Sequence, residues 1–389
     1  MTLRVCVKGV LLVGVFLWVA GAGGPLRADN AWNTYTVDSA GNVGFFTSLA
    51  LDGSGNPGIS YFIGNSGYNG DLKYAYRDAS GWHTATADGV GVDVGRCSSL
   101  VFDSSGYPHI SYYDWTSSYT GTLKYTYQDA SGWHISTVDS GGRVGAYTSL
   151  ALDGSGYAHI SHYDINNGNL KYTYQDASGW HTTTLDSAGD VGYGTSLELD
   201  SSGYPYISYL DATNGDLKYT YQDASGWHTT TVDSAGDVGY DTSLELDSSG
   251  YPYISYYDNT NGNLKYTYQD ASGWRTTTVD SAGNVGLVSS LELDNSGYPY
   301  ISYYDSTNGD LKHTYQNALG WHLTTVDSAG NVGGWTSLAL DSRGFSHISY
   351  YNYTNGDLKY ANNVPEPGTV ALLLLGLGPL AWSWRRRKR

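Results

Sequence analysis

A regular repeat in this 389-residue chain predicts an all-β fold, a seven-bladed β-propeller of four-stranded antiparallel blades. Two residue series mark the repeat, a tryptophan that opens one strand of each copy and the lysine of a Leu-Lys pair. The tryptophans are Trp32, Trp82, Trp133, Trp180, Trp227, Trp274 and Trp321, spaced by 50, 51, 47, 47, 47 and 47 residues. The lysines are Lys73, Lys124, Lys171, Lys218, Lys265, Lys312 and Lys359. A period in the forties is typical of propellers and solenoids.

Each repeat contains four short runs rich in Tyr, Thr, Ile, Leu and Val, which predict four strands and no helix. In the fifth copy these runs are 242–247, 253–258, 264–270 and 274–280. Tight turns join them in order, including an Asn261-Gly262 pair that suits a hairpin. The longest link follows the fourth strand, so we expect each copy to be one antiparallel meander and the link to begin the next blade.

The two ends of the repeat array predict a closed ring. The propeller region, 31–361, begins with a lone fourth strand at 31–38 and ends with a first, second and third strand. The N-terminal strand can therefore complete the seventh blade, a closure that resembles the one in WD-repeat propellers. A linear solenoid would instead need polar caps.

The N-terminus has the pattern of a secretory signal peptide, residues 1–28. Arg4 and Lys8 precede an apolar run over 9–22, and small residues follow at sites suited to cleavage. Cys6 would leave with this peptide, so Cys97 would be the single cysteine of the mature chain. One thiol forms no internal disulfide, so stability must come from the packed blades.

The expected mature chain is strongly acidic. Without the eight basic residues and one acidic residue of the two ends, 20 Lys and Arg become 12, and 37 Asp and Glu become 36, a net charge of −24. Such a charge disfavours nucleic acid or an anionic membrane surface as partner. It is compatible with glycans, basic proteins or divalent cations.

The C-terminus, 362–389, has three parts in a set order. Pro365, Glu366 and Pro367 come first, then an apolar run over 369–384 that predicts a hydrophobic helix, then five basic residues at 385–389. The segment resembles the PEP-CTERM sorting tail of Gram-negative bacteria that produce exopolysaccharide. The resemblance implies an exosortase and the secretion machinery as partners, transient residence in the inner membrane, and a final place at the cell surface or in the biofilm matrix. The alternative is a permanent membrane anchor without processing.

Two irregular repeats suggest a binding patch. The first and second blades carry extra residues between their second and third strands, in 63–71 and 114–122. These insertions would bring Tyr68, Trp115 and Tyr119 to the end of the propeller that also carries Arg96 and Arg143. Aromatic side chains beside polar groups suit stacking on sugars, and loops on a rigid scaffold often bind ligands. The alternative is that these loops tolerate changes in length and bind no ligand.

Three glutamates recur at one position of neighbouring first strands, Glu198, Glu245 and Glu292. Because first strands line the central channel of a propeller, we expect these carboxyl groups to cluster there and to bind a cation or have raised pKa values. The alternative is hydrogen bonding across neighbouring blades.

No metal centre, cofactor or catalytic constellation is predicted. Most of the ten histidines occupy repeat positions where other copies carry Tyr, Asn or Arg, which favours packing over metal ligation. The Asp-rich links between blades are compatible with Ca²⁺ binding, although their spacing matches no known calcium loop. No carboxylate pair stands out at the spacing a glycosidase needs. We therefore do not expect an enzyme.

The hairpin after each first strand, DSSGYPYIS in two copies, resembles the repeats of lectin-like propellers of the sialidase superfamily. The arginine cluster of catalytic sialidases has no counterpart here. We therefore expect an exported, non-catalytic propeller that binds glycan or protein. The alternatives are a purely structural matrix protein and, third, a hydrolase or lyase acting on exopolysaccharide. Near identity of the fourth to sixth copies favours several equivalent weak sites.

Overall fold

The computed structural model describes residues 32–64, 70–91, 93–116 and 120–365. Over these ranges the chain forms 28 strands and no helix, and hence none that is long and apolar enough to cross a membrane. The strands form seven four-stranded sheets, which confirms the predicted seven-bladed propeller. The predicted signal peptide and the hydrophobic tail helix lie outside the described residues.

The strands follow one another as consecutive meanders. The chain enters with β1 (Asn33–Asp38). Blade 1 contains β2 (Val43–Leu51), β3 (Pro57–Ile63), β4 (Asp71–Asp78) and β5 (Gly81–Asp88). Blade 2 contains β6 (Val94–Phe102), β7 (Pro108–Trp115), β8 (Gly121–Asp129) and β9 (Gly132–Asp139). Blade 3 contains β10 (Val144–Leu152), β11 (Ala158–Asp164), β12 (Asn169–Asp176) and β13 (Gly179–Asp186).

The remaining blades repeat this order. Blade 4 contains β14 (Val191–Leu199), β15 (Pro205–Asp211), β16 (Asp216–Asp223) and β17 (Gly226–Asp233). Blade 5 contains β18 (Val238–Leu246), β19 (Pro252–Asp258), β20 (Asn263–Asp270) and β21 (Gly273–Asp280). Blade 6 contains β22 (Val285–Leu293), β23 (Pro299–Asp305), β24 (Asp310–Asn317) and β25 (Gly320–Asp327). Blade 7 contains β26 (Val332–Leu340), β27 (Ser346–Asn352) and β28 (Asp357–Asn362), to which β1 adds.

The ring closes through the first and last strands of the propeller. Strand β1 pairs antiparallel with β28, with Asn33 opposite Asn362 and Tyr35 opposite Tyr360. The seventh sheet therefore has the order β1-β28-β27-β26. This arrangement confirms the predicted closure, and it leaves no blade face unpacked at an open end of the array.

Aspartates build the tight turns that the sequence predicts. After β14, the Oδ1 atom of Asp200 accepts the N–H groups of Ser202 at 2.8 Å and Tyr204 at 2.9 Å. Gly203 in the same turn has φ +83°, a conformation that favours glycine. Equivalent turns recur in the other blades, so one local chemistry sets the same hairpin register around the ring.

The hydrophobic core lies between consecutive blades. In one cluster, Leu170 and Tyr172 of blade 3 pack against Leu197, Ile207 and Tyr209 of blade 4, and all are buried. The repeat-marking tryptophans cover the outer strands in the same way, each reaching the preceding blade. Burying side chains of this size contributes roughly 1.5 to 3 kcal/mol each, so the blades stabilise one another.

A charged network also joins each blade to the next. Asp186 of β13 accepts hydrogen bonds from Lys218 at 2.5 Å and from the Tyr209 hydroxyl at 2.7 Å, both in blade 4. Burial raises the pKa of Asp186, but these bonds outweigh it and leave the pKa below its ordinary value. The same Lys-Asp pair recurs between other blades, as Lys171–Asp139, Lys265–Asp233, Lys312–Asp280 and Lys359–Asp327.

Serine hydroxyls hold the innermost strands side by side. The Oγ atom of Ser196 in blade 4 accepts the backbone N–H of Leu244 in blade 5 at 3.0 Å. The equivalent serine makes this bond in every blade: Ser48, Ser99, Ser149, Ser196, Ser243, Ser290 and Ser337. The first strands therefore surround the axis as a regular ring.

Candidate functional site: the link face and the central channel

One end of the propeller, which we call the link face, carries the links between blades and the turns between second and third strands. The backbone ties these segments together. The N–H of Val191, where the link enters blade 4, donates to the carbonyl of Gly168 in the turn of blade 3 at 2.9 Å. The insertions of the first two blades come between β3 and β4 and between β7 and β8, and residues 65–69 and 117–119 lie outside the described residues.

The structure brings together two of the predicted patch residues, Arg96 and Trp115. The Arg96 guanidinium lies 4.8 Å from the centre of the Trp115 ring and 5.4 Å from that of Phe62. Its Nη2 atom lies 2.6 Å from the Oδ2 atom of Asp93. A carboxylate and two aromatic rings therefore hold this arginine in place. Tyr68 and Tyr119, also predicted here, lie outside the described residues.

Arg143 enters the next blade beside the same cluster. Its carbonyl accepts the N–H of Ile165 at 2.8 Å, and its side chain lies next to the Tyr113 hydroxyl. Burial raises the pKa of Tyr113, and the Arg143 charge opposes that shift. Tyr113 in turn belongs to a cluster that Trp115 borders. Arg143 is therefore joined to the Trp115 region through a buried tyrosine.

Several buried polar atoms around Trp115 have no hydrogen-bond partner among the described residues. They include one carboxylate oxygen of Asp93, one of Asp114 and the hydroxyl of Thr122. The backbone N–H of Trp115 donates to the Asp93 carbonyl at 3.0 Å, and Asp114 pairs with Thr122 across the hairpin. Buried polar groups are usually satisfied, so this concentration distinguishes blade 2 from the regular blades.

A row of aromatic rings extends from this point across the link face, with Arg96 between Trp115 and Phe62. Phe62 packs on Phe45 with ring centres 6.4 Å apart, and Phe45 packs on Trp335 at 5.0 Å. Trp335 lies 5.6 Å from Tyr353, which lies 5.7 Å from Tyr304. We call Trp115, Phe62, Phe45, Trp335, Tyr353 and Tyr304 the aromatic arc.

Sequence reasoning missed most of the aromatic arc. Phe45 and Trp335 lie in regular strands, β2 and β26, and not in insertions. Phe45 is the first and Trp335 the second residue after the Val-Gly pair of the inner strand, and the residues at these two positions vary among the copies. The arc crosses four blades, so it became visible only when the blades were placed around the axis.

The three predicted glutamates line the central channel, which encloses a cavity of about 340 Å³. They lie on the adjacent strands β14, β18 and β22. Burial raises the pKa of Glu198 to about 8, and burial with the Glu198 charge raises the pKa of Glu292 to about 8. The pKa of Glu245 is raised well above its ordinary value by burial and by both neighbours.

The alternative explanation for these glutamates was hydrogen bonding across blades. Within the part of the chain that the structure describes, none of the three carboxyl groups makes such a bond; serines and leucines surround them instead. Each keeps partial exposure to the channel. The same part of the chain contains no group of three His, Cys, Asp or Glu side chains arranged to hold a metal ion.

The histidines of the repeat take part in packing and hydrogen bonding. His228 stacks on Tyr221 with ring centres 4.9 Å apart, and its Nε2 atom lies 3.0 Å from Asp223. His159 in a second strand hydrogen bonds to the Tyr172 hydroxyl at 2.5 Å. These contacts lie on outer strands and opposite-end turns, away from the aromatic arc.

The sorting motif begins directly after the last strand. The Asn33 side chain of β1 donates to the Val364 carbonyl at 3.0 Å, which holds the chain as it leaves the propeller. Pro365, the first residue of the motif, is exposed. Glu366 and Pro367 lie outside the described residues.

Comparison with known proteins identifies the tail and the fold. Residues 363–388 match the PEP-CTERM protein-sorting motif, so the chain is an exported protein sorted to the cell envelope and processed by an exosortase. No curated protein matches the chain.

Among solved structures, the chain is similar to a hydrazine synthase of Kuenenia stuttgartiensis, with a TM-score of 0.54, 13% identity, and coverage of 82% of this chain and 95% of the other. It is also similar to the Aleuria aurantia lectin AAL, in complex with Fucα1-6GlcNAc, with a TM-score of 0.50, 13% identity, and coverage of 72% and 95%. A third similar structure is the polysaccharide lyase Uly1, with a TM-score of 0.51, 11% identity, and coverage of 84% and 90%. At these identities the similarity concerns the propeller fold alone.

Proposed function

We propose that this protein is a non-catalytic binding module that holds a glycan on its link face, at the cell surface or in the extracellular matrix. The aromatic arc carries the proposal. It presents partly exposed rings over four blades, on either side of the buried Phe62, and sugar rings stack on such surfaces through their apolar C–H faces. Trp115 marks one end of the row.

The polar groups around Trp115 support the same function. Asp93 and Asp114 each keep a buried carboxylate oxygen without a hydrogen-bond partner among the described residues. Arg96, held against Trp115 and Phe62, adds donors at the same place. Sugar hydroxyls both donate and accept, so they can bind the partly exposed Arg96 donors, which the buried Asp93 carboxylate holds in place, while the sugar ring stacks.

The export of the protein favours a glycan that lies outside the cell. A protein sorted by a PEP-CTERM motif reaches the envelope, and the propeller would meet the producer's exopolysaccharide there. We propose this polysaccharide as the partner. The acidic surface of the propeller does not prevent binding of neutral or negatively charged parts of this polysaccharide, because stacking and hydrogen bonding act at short range.

The test is binding of the exported, processed protein to a glycan array and to extracted matrix polysaccharide, beside two variants. Trp115→Ala removes one end of the aromatic arc. Tyr251→Ala removes an exposed aromatic ring from a turn at the opposite end and serves as the matched control. We expect saturable binding that is weakened about tenfold or more in Trp115→Ala and unchanged in Tyr251→Ala.

Other outcomes would redirect the assignment. Equal binding by both variants would place the ligand elsewhere on the propeller. Capture of envelope proteins without any glycan would favour a protein partner. No binding to any fraction would favour a purely structural role in the matrix.

A second candidate function is an enzyme that cleaves exopolysaccharide, favoured by the raised pKa values of Glu198 and Glu292, both about 8. Carboxyl groups that keep a proton near neutral pH can act as general acids. Incubation of purified matrix polysaccharide with the protein tests this candidate. Product formation that Glu245→Gln abolishes would support it, and intact polysaccharide would exclude it for that substrate.

A further inference from the structure

One position in every inner strand has a left-handed backbone, and its seven residues surround the axis at the link face. Their φ angles lie between +45° and +59°. We call these residues the axial ring: Phe46, Cys97, Tyr147, Gly194, Asp241, Val288 and Trp335. Each lies two residues before the serine that binds the next blade.

Contacts between neighbours show that these residues form one ring. Phe46 and Trp335 pack with ring centres 5.2 Å apart across the closure of the propeller. The N–H of Val288 donates to the Oδ2 atom of Asp241 at 2.9 Å. The hydroxyl of a Ser or Thr in the following blade binds the carbonyl of a ring residue, as Thr242 binds that of Gly194 at 3.1 Å. The scaffold therefore fixes each position.

The scaffold repeats, but the side chains it presents do not. All seven axial positions carry different amino acids, whereas the residue two places later is serine in every blade. The copies at 180–226 and 227–273 agree at nearly every position, yet Gly194 in one corresponds to Asp241 in the other. The ring is thus a single asymmetric surface, unlike the several equivalent sites that the repeat favoured.

Stability alone does not explain this ring. A left-handed conformation costs a residue other than glycine about 1 kcal/mol or more. Glycine would avoid that cost, but only Gly194 uses it. The other six positions carry a side chain in spite of this cost. Strained positions of this kind are typical of ligand sites.

The aromatic members join the ring to the aromatic arc. Phe46 lies 6.3 Å from Phe62, and Trp335 belongs to both groups. On the other side, Tyr147 packs on Tyr193 with ring centres 4.1 Å apart. A ligand stacked on Trp335 can therefore extend along the arc while one end lies over the axis.

Asp241 gives the ring its one acidic group. Its Oδ2 atom is bound by a backbone N–H, and no Lys, Arg or His among the described residues pairs with it. By contrast, the buried Asp233 pairs with Lys265. Gly194, the neighbour of Asp241 in the axial ring, has no side chain. A Cβ placed there would lie 3.6 Å from the Asp241 N atom. The Asp241 carboxylate therefore has no counter-ion among the described residues.

Asp241 and Trp335 lie two blades apart in the axial ring, with Val288 between them. Tyr353 packs against Trp335 and is near enough to Asp241 to sense its charge. Burial, two neighbouring tyrosines and then Asp241 raise the pKa of Tyr353 to about 12. Burial also raises the pKa of Asp241 itself. A cation that replaces the missing counter-ion would be stabilised by this carboxylate and by nearby ring faces.

We propose that the axial ring binds a sugar residue with an unsubstituted amino group, its ammonium paired with Asp241 and its ring stacked on Trp335. The inference rests on the proposed glycan binding and adds where the ligand sits and which charge it carries. The net charge of −24 expected for the mature chain attracts cationic ligands to the protein.

The experiment uses two tetrasaccharides with the same backbone, one of glucosamine and one of N-acetylglucosamine. The exported, processed protein is titrated with each by calorimetry at about pH 6.5. We expect the amino form to bind at least about tenfold more tightly. Asp241→Asn removes this preference, while Trp335→Ala weakens both probes.

Asp216→Asn is the matched control, because it removes the same charge from the same end of the propeller. Asparagine already occupies the equivalent position in two other blades, as Asn169 and Asn263. We expect it to keep the preference for the amino form. Equal loss in both variants would indicate a general charge effect and overturn the site.

The remaining outcomes separate this inference from the proposed function. If both probes bind equally and Asp241→Asn has no effect, glycan binding stands and the amino-sugar site is wrong. If matrix polysaccharide binds through Trp115 but neither tetrasaccharide binds, the axial site is also wrong. If no glycan binds at all, the proposed function fails and the inference fails with it.

Discussion

Replacing the central channel glutamate, Glu245→Gln, should stabilise the protein, and increasingly so as the pH rises from about 4.5 to 8. Gln is close in shape to a protonated Glu but never ionises. In the folded protein, burial raises the pKa values of Glu198 and Glu292 from 4.5 to about 8, and that of Glu245 well above 4.5. At pH values between 4.5 and the raised pKa, the folded state holds protons that the unfolded chain has released, so the stability of the wild type falls as the pH rises.

The magnitude follows from the same shift. Each pH unit between 4.5 and the folded-state pKa costs the folded state about 1.4 kcal/mol, so a glutamate with the pKa of Glu198 or Glu292, about 8, loses about 3 kcal/mol at pH 7. The side chains keep partial exposure to the channel, so solvent screening reduces this to about 1 to 2 kcal/mol. At pH 4 the wild type and Glu245→Gln should be equally stable.

Urea unfolding of both proteins at a series of pH values is the assay. The difference between them isolates the glutamate, because histidines and aspartates titrate alike in both. Ala151, which occupies the equivalent position in blade 3, provides the reverse test. Ala151→Glu should lose stability relative to Ala151→Gln as the pH rises. A difference between wild type and Glu245→Gln that stays constant with pH, or a variant less stable at pH 8, would refute the reasoning.

Three further predictions concern contacts between blades, each measured by urea unfolding. Lys265→Met leaves Asp233 without its cation and should lower the free energy of unfolding by about 2 kcal/mol at pH 7. The pKa of Asp233 in the folded protein lies below its ordinary value, so this loss should shrink as the pH falls below about 4. Gly239 has φ +90°, and Gly239→Ala would place a Cβ 2.7 Å from the neighbouring backbone, so it should lower the free energy of unfolding by about 3 kcal/mol or more. Gly226 has φ +121° in open space, so the control Gly226→Ala should lower it by only about 1 kcal/mol. Ser243→Ala removes the acceptor of an inner-strand N–H and should cost about 1 to 2 kcal/mol, and no loss would mean that the serine ring does not hold the blades.

Local chemistry made much of the fold predictable. Asp200, Gly203 and their equivalents set the hairpin turns through contacts within a few residues. Leftover strands at the two ends of the array indicated the closure of β1 on β28, since pairing them completes a blade. The position of Glu198, Glu245 and Glu292 in first strands was enough to expect them in the channel. Their pKa values required the actual burial.

The sequence by itself thus determined the number of blades, the strands within each blade, the closure and the sorting tail, because these depend on periodicity and short-range turn chemistry. Only the tertiary structure decided which side chains meet at the link face. The inner strand contains an irregular register around Tyr193, which breaks the alternation that would otherwise predict side-chain direction. The aromatic arc and the axial ring then arise from residues far apart in the chain, such as Phe46 and Trp335, which come together only because the ring closes.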